Sequence, residues 1–427
     1  MTIFEASFDR HSSVNPLKGE NRERMNRRRI LMSAGIVLIT VCLNGQLADS
    51  TRTILKGDGK VDSTLAVLNN GEKGDSTLTI LFAGDIMGHD MQIASARDDS
   101  TGIYSYDSVF KYIRPVIEDA DFAVGNLEVT LGGAPYKGYP AFSSPDALAV
   151  ACKNAGFDAL MTANNHSADR GPKGIARTLR VLDSLSIPHT GTWTGPEERD
   201  TLTPLMLKAK GISVAMLNYT YGTNGIVVPP PRVVSYIDTV RIISDILASR
   251  EKGADLVVVF IHWGNEYDSL PSPLQELTAK TIFNGGADII IGSHPHVLQP
   301  MHATADSSGL SDPVVWSMGN FISNQRKRRS DGGAMVRIEL KKEGDKTLIT
   351  DAGYILTWVW SPLENGKRKF YILPCSEFEE NLEFFQSSTA YDAMTLFIKD
   401  SRRLLDATCT GFSELISAGR LWIPLSR

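Results

Sequence analysis

IIIGSHPHVLQP, residues 289–300, decides how the rest of the chain is read. The three isoleucines are the continuous apolar run of a strand buried on both faces. Gly292 and Ser293 end that run, and His294 and His296 follow at once around Pro295. A core has no use for paired imidazoles, whereas a site at the end of a strand does. The proline is expected to hold the backbone extended. The Gly-Ser break lets both rings turn toward one centre.

Working outward, the same pattern repeats. LTILFAGD ends in Asp85, ADFAVGNLE in Asn126 and Glu128, and FDALMTANNH in Asn164, Asn165 and His166. GISVAMLNY reaches Asn218, ADLVVVFIHWG ends near His262, and PVVWSMGNF ends near Asn320. PDALAVACKNAG, GIARTLRVLDSLS and YIDTVRIISDILASREKG carry apolar residues at helical spacing. Alternating strands and helices predict a layered, largely parallel α/β sheet. Ligands of such sheets bind beyond the carboxyl ends of the strands. The polar residues scattered along the sequence should therefore converge on one edge.

Imidazole nitrogen with carboxylate oxygen suits a divalent ion such as Zn, Mn or Fe. The pool is Asp85, His89, Glu128, Asn165, His166, Asp169, His262, Glu266, His294 and His296. An asparagine oxygen beside histidines points to a two-ion site, in which ions ~3.5–4 Å apart clamp an anionic transition state. His262, His294 and His296 stand at strand ends and read as ligands, whereas His89 and His302 read as ordinary core or surface residues. His166 is either a ligand or a general acid for a leaving oxygen. Asp169 either orients that imidazole or caps the following turn. The Glu128 carboxylate can neutralise one ion and bridge two, while Asn126 braces its turn. Asn126, Glu266, Asn320 and Arg326 are the candidate substrate contacts. Arg326 opens a basic run, Arg326 to Arg329, which is either a solvated loop or an attractor of an anionic polymer.

The formal net charge of −5 argues against a nucleic-acid partner, which would need a basic footprint. None of the cysteines (Cys42, Cys152, Cys375 and Cys409) has CxxC spacing, and buried free thiols are expected rather than a disulfide framework. Arg22, Arg24, Arg27, Arg28 and Arg29 precede a short apolar stretch, residues 30–43. That order reads as an export signal or short membrane anchor, with loose likeness to a twin-arginine signal and to a lipoprotein box at Cys42. The domain plan is a signal or anchor over 1–49, a linker over 50–76, a main domain over 77–356 and a helical C-terminal extension over 357–427. Within the last part, Ser376 and Glu379 are spaced as a capping box.

FAGDIM, GNLEVTL, TANNHSADRG, IHWGNEY, GSHPHVLQP and SMGNFISNQ, in that order over residues 78–325, carry a resemblance. The sequence resembles the CapA-type capsule (poly-γ-glutamate) synthesis proteins, of the calcineurin-like metallophosphatase superfamily. The resemblance implies a four-layer α/β/β/α sandwich of the metallo-dependent phosphatase type. It implies metal ligation by Asp85, Glu128, Asn165, His262, His294 and His296, with His166 as acid and Asp169 beside it. The chain departs from the phosphatase pattern in having Met87 two after the aspartate, where histidine is usual. It also has Asn126-Leu127-Glu128 in place of an aspartate after glycine. One or two divalent ions and two functions therefore stay open. The first is an extracytoplasmic hydrolase acting on a phosphoester or a cell-surface polymer. The second is a non-catalytic module that binds an anionic polymer and assembles with capsule-synthesis membrane proteins.

Overall fold

The structure is a computed structural model that describes residues 76–425 apart from residues 308, 386, 419 and 420. The expected export segment and linker lie outside the described residues. No described helix is long and apolar enough to cross a membrane.

Two blocks of parallel strands are joined by a long antiparallel hairpin. The first block runs His189–Thr190, Ala159–Met161, Phe122–Leu127 and Ser76–Ile86. Gly332–Glu343 pairs antiparallel with Ser76–Ile86 and then with Lys346–Trp360. From there Gly309–Val315 leads into the second block: Ile289–Ser293, Leu256–His262 and Ile212–Thr220, with Leu205–Ala209 antiparallel at its edge.

The side-chain parity along these strands shows the layers. Leu78, Ile80 and Phe82 share one core with Val258, Phe260, Ile289 and Ile291, so the two blocks pack face to face. The alternate residues Leu81 and Ala83 turn outward under Leu148, Cys152 and Leu182 of helices Ala147–Ala155 and Gly171–Ser184. Val257, Val259 and Ile261 turn outward under Ile242, Ile246 and Ile282 of helices Thr239–Glu251 and Pro273–Asn284. Helix, sheet, sheet and helix are thus stacked in four layers, as period-two burial on both sheets requires.

The helices close as their sequences dictate. Gly156 ends its helix at φ 107°, a left-handed cap without Cβ strain. Asp238 caps Thr239–Glu251 by accepting from the Val240 and Arg241 amides. Ser272 and Gln275 form a capping box on Pro273–Asn284. The expected box at Ser376 is not formed. Pro374 is the cap residue there, and Ser376 Oγ accepts instead from the Ser417 amide at 3.2 Å. The expected boundary at 356/357 falls inside strand Lys346–Trp360, and Tyr371–Pro374 and Ser413–Ala418 extend the same sheet. The C-terminal part is therefore strand as well as helix, its long helix spanning Ser388–Thr408. Cys152 and Cys375 are free and buried, and Cys409 is free and half-buried.

Candidate metal centre

The inner-face parity that builds the core also builds the site. Val124 faces inward, so Asn126 and Glu128 continue on that side while Leu127 faces outward. Val258 and Phe260 hand the inner face to His262, and Ile289 and Ile291 hand it to Ser293. Simple alternation would send Asp85 outward with Leu81 and Ala83. The register shift between Ala83 and Asp85 resets the phase, so that Ile86 faces outward and Asp85 inward. This irregularity rests on a close backbone approach: a Cβ on Gly84 would stand 2.1 Å from the Gly319 carbonyl oxygen.

At the rim where the two sheets meet, Asp85, Glu128, Asn165, His166, His262, His294 and His296 are all buried. His296 Nδ1 lies 3.1 Å from Asp85 Oδ2, and His296 Nε2 lies 3.8 Å from Glu128 Oε1. His262 Nε2 lies 3.5 Å from the same Glu128 oxygen and 3.0 Å from Asn165 Oδ1. Two donor groups result, Glu128 with His262 and His294, and Asp85 with Glu128 and His296, each with ligand atoms within 4.8 Å of one another. Glu128 belongs to both. Its two oxygens and His294 Nδ1 are buried without a hydrogen-bond partner among the described residues. Leaving such atoms unpaired is costly unless an ion takes their lone pairs.

The electrostatics fit the same use. Burial, then the nearby Asp85 carboxylate, pushes the Glu128 carboxyl well up. Burial, then the His294 ring, pushes His262 well down, and burial with His296 lowers His294 to about 3. The two imidazoles are thus neutral, the form that ligates a metal. His262 Nδ1 is 2.9 Å from Ser293 Oγ, which leaves Nε2 for the centre. Asn126 donates to Asp85 Oδ1 at 2.8 Å and lies 3.3 Å from His262 Nδ1, so it braces two donors.

The backbone around Pro295 is not extended as expected. His294 has φ 101° and His296 φ 58°, both left-handed. Such residues cost about 1–3 kcal/mol each and persist where the surroundings impose them. Here the turn aims both rings inward, with His294 4.7 Å from the His262 ring and 5.9 Å from His296.

His166 stands beside the donor groups. Its Nδ1 is 2.7 Å from Asp169 Oδ2, which also accepts from the Phe142 amide at 2.7 Å. Phe142 packs edge-on against the imidazole at 4.6 Å. Asp169 therefore fixes the ring, and the opposite nitrogen is left for the site.

The remaining candidates fall around this centre. Asn320 donates to the Ser330 and His296 carbonyls at 2.7 and 3.4 Å and so holds the histidine turn. Glu266 is exposed. Arg326 donates to the Val359 carbonyl at 2.8 Å and lies over Phe370. Arg328 forms a two-bond pair with Asp400 at 2.6 and 2.8 Å, and Arg329 joins it at 3.6 Å, so the basic run is tied to the long C-terminal helix. His302 lies away from the donors, 3.3 Å from Thr410 Oγ1.

Asn164 and Asn218, expected only as polar strand ends, have bracing roles: Asn164 donates to the Leu127 carbonyl at 2.8 Å, and Asn218 accepts from the Ala163 amide at 2.7 Å, so together they fix the loop carrying Asn165 and His166. Ser293 and Tyr221 were not foreseen, although Ser293 sits inside the quoted GSHPH. His89 caps its helix through Gln92 and accepts from the Asn324 amide at 3.2 Å, and burial holds it down to about 4.

Four layers with a buried histidine–carboxylate cluster at the carboxyl ends of the strands are the architecture of the metallo-dependent phosphatase fold. The sequence profile of the bacterial capsule synthesis protein PGA_cap family matches residues 79–325, and the chain belongs to that family. It is 32% identical over 256 residues to the capsule biosynthesis protein CapA of Bacillus anthracis, across 57% of this chain and 61% of that protein. It is 29% identical over 255 residues to the PGA biosynthesis protein CapA of Bacillus subtilis (strain 168), across 56% of this chain and 62% of that protein. The match thus spans less than two thirds of the length of either relative. Among solved structures, the chain is similar to the Haemophilus influenzae NAD nucleotidase, with 13% identity and a TM-score of 0.42 over 77% of this chain and 61% of that one. It is also similar to the calcineurin-like phosphoesterase YfkN from Bacillus subtilis, with 14% identity and a TM-score of 0.39 over 77% and 98% of the two chains.

Proposed function

We propose that the chain is a metal-dependent hydrolase of the cell envelope that cleaves a phosphoester or an amide during the making of a capsule polymer. The observation that carries this reading is Glu128, shared by both donor groups with neither oxygen hydrogen-bonded among the described residues. Divalent ions such as Mn, Zn or Fe held there would supply Lewis acidity and a water of lowered pKa. Asp85, His296 and Glu128 would hold one ion, and His262, His294 and Glu128 the other, with Asn165 Oδ1 beside His262. His166, oriented by Asp169, would give a proton to the leaving oxygen or nitrogen. Family membership supports the capsule context, and the cationic-then-apolar order of residues 22–43 supports a place outside the cytoplasm.

The test is turnover by the metal-loaded full chain on alkyl and aryl phosphoesters and on γ-glutamyl amides. His166→Asn should keep its metal and lose about 100- to 10,000-fold in rate on alkyl esters. Loss of metal in that variant would make His166 a ligand. Absence of turnover on every substrate, with metal bound, would replace the hydrolase by a binding module for an anionic polymer.

A further inference from the structure

The histidines at the centre are not all held in the same way. His166 Nδ1 lies 2.7 Å from Asp169 Oδ2, His262 Nδ1 2.9 Å from Ser293 Oγ, and His296 Nδ1 3.1 Å from Asp85 Oδ2. A polar side chain beside one ring nitrogen fixes the tautomer and the aim of an imidazole. His294 differs. Its Nδ1 is buried without a hydrogen-bond partner among the described residues. Its backbone is left-handed at φ 101°, so the ring is not placed by ordinary chain preference either.

What lies against His294 is a pair of rings. His262 is 4.7 Å away and tilted by 54°, and Tyr221 is 4.7 Å away and tilted by 47°. Tyr221 is parallel to His262 within 7°, at 6.3 Å. The three rings close a triangle, two corners of which are candidate ligands of the same ion. Rings at such separations attract one another beyond the area they bury.

The third corner is firmly mounted. Tyr221 follows strand Ile212–Thr220, whose last residue pairs with His262. The Tyr221 amide donates to the His262 carbonyl at 3.0 Å. On the other side, the Thr220 amide donates to the Ser235 carbonyl at 2.9 Å, and the Thr220 carbonyl accepts from the Ile237 amide at 2.8 Å. A strand end bonded on both sides is a rigid support for a site. The ring itself is 47% exposed and belongs to none of the hydrophobic cores, so the interior does not need it as filling. The other donor group is held by hydrogen bonds instead: Asn126 donates to Asp85 Oδ1 at 2.8 Å, and Asp85 Oδ2 flanks His296.

We propose that Tyr221 is a positioning residue of the metal centre: its ring holds His294, and through it the ion of Glu128, His262 and His294, in the role that a polar side chain fills for the other three histidines. This role rests on the metal-centre reading and not on turnover. Its test is calorimetric titration of Zn into the metal-free full chain, with elemental analysis counting the ions. Tyr221→Ala should weaken one ion about ten-fold, the low end for losing the partner of a metal-binding histidine, and leave the other unchanged. Tyr221→Phe keeps the ring and should keep both affinities. Because Tyr221 acts through His294, the double variant Tyr221→Ala, His294→Ala should bind no more weakly than His294→Ala alone. With Co in place of Zn, the visible absorption bands should shift in Tyr221→Ala and not in Tyr221→Phe. The metal-free variants should melt with the metal-free wild type; if Tyr221→Ala does not fold, Tyr221→Leu replaces it with the same expected loss. Unchanged affinity for both ions, an equal loss of both, additive losses in the double variant, or a loss in Tyr221→Phe as large as in Tyr221→Ala overturns the proposal. A wild type that binds no Zn or Co would overturn the metal-centre reading as well, whereas a wild type and a Tyr221→Ala variant that bind two ions equally would remove only the role of Tyr221.

Discussion

Glu128 is where the chemistry of single residues is most exposed to test. Two donor groups meet in one carboxylate, so the three kinds of variant should separate by ion count. His294→Ala should lose one ion per chain, Asp85→Asn the other, and Glu128→Gln both, measured by elemental analysis after gel filtration. Two ions retained in Glu128→Gln would sink the shared-ligand reading. Ser293→Ala removes no ligand but frees His262 Nδ1, and metal affinity should fall about 10- to 100-fold. The ligand types were legible in the sequence because His, Asp, Glu and Asn rarely follow apolar runs so often. Asn126 was legible as a brace and Asn164 and Asn218 as polar strand ends; what the last two hold was not legible, because their partners Leu127 and Ala163 come near only in the fold. The left-handed turn at His294 and His296 was hidden for a similar reason. Pro295 restricts its neighbours toward extended backbone, and the packed site overrides that preference.

Strands carry the donors, so an element-level fault should reach the metal. Gly84→Ala would press a Cβ into the Gly319 carbonyl at 2.1 Å, and backbone cannot swing aside as a side chain can. The variant should lose about 3 kcal/mol, read by denaturant midpoint, and bind metal more weakly because Asp85 shifts with the strand. Unchanged stability and metal content would mean that the two strands part freely there. Asp400 links the basic loop to helix Ser388–Thr408. Its hydrogen bonds with Arg328 hold the carboxylate below its usual range. A lowered folded pKa gives stability that is complete above the unfolded value, about 3.9, and fades as pH falls through the folded one. Asp400→Asn should therefore melt lower than wild type at pH 7, and the gap should close toward pH 2; a gap independent of pH would assign the effect to packing. Most strands were legible, as were three helices by their apolar spacing and the long C-terminal helix Ser388–Thr408. Helix Pro273–Asn284 was not, because Leu274 and Leu277 point outward and blur its apolar face. The phase reset at Asp85 was invisible, since the glycine that allows it opposes another glycine far along the chain.

Seen whole, the candidate centre is shared between the two halves of the sandwich. Asp85, Glu128 and Asn165 come from the block built on Ser76–Ile86, and His262, His294 and His296 from the block built on Leu256–His262. Sequence reading reached the edge where these residues gather. It could not reach the face-to-face packing from periodicity alone, because a strand buried on both faces reads the same in one sheet or two. Closing the centre has a thermodynamic consequence. Without ions, Asp85 and Glu128 are buried together and the histidine turn is strained with nothing gained for it. An ion that binds only the folded state, at a hundred times its Kd, stabilises by about 2.7 kcal/mol. Removing one ion should lower the melting temperature of the full chain by about 5 °C, and stripping two by about 10 °C, a chain of this size moving roughly 2 °C per kcal/mol. Scanning calorimetry with and without a chelator reads the shift, and adding back Mn or Zn should reverse it. Glu128→Gln should melt at one temperature with or without chelator, because the ligand common to both groups is gone. If wild-type protein shown by elemental analysis to be metal-free melts where the loaded protein does, the ions do not join the two halves.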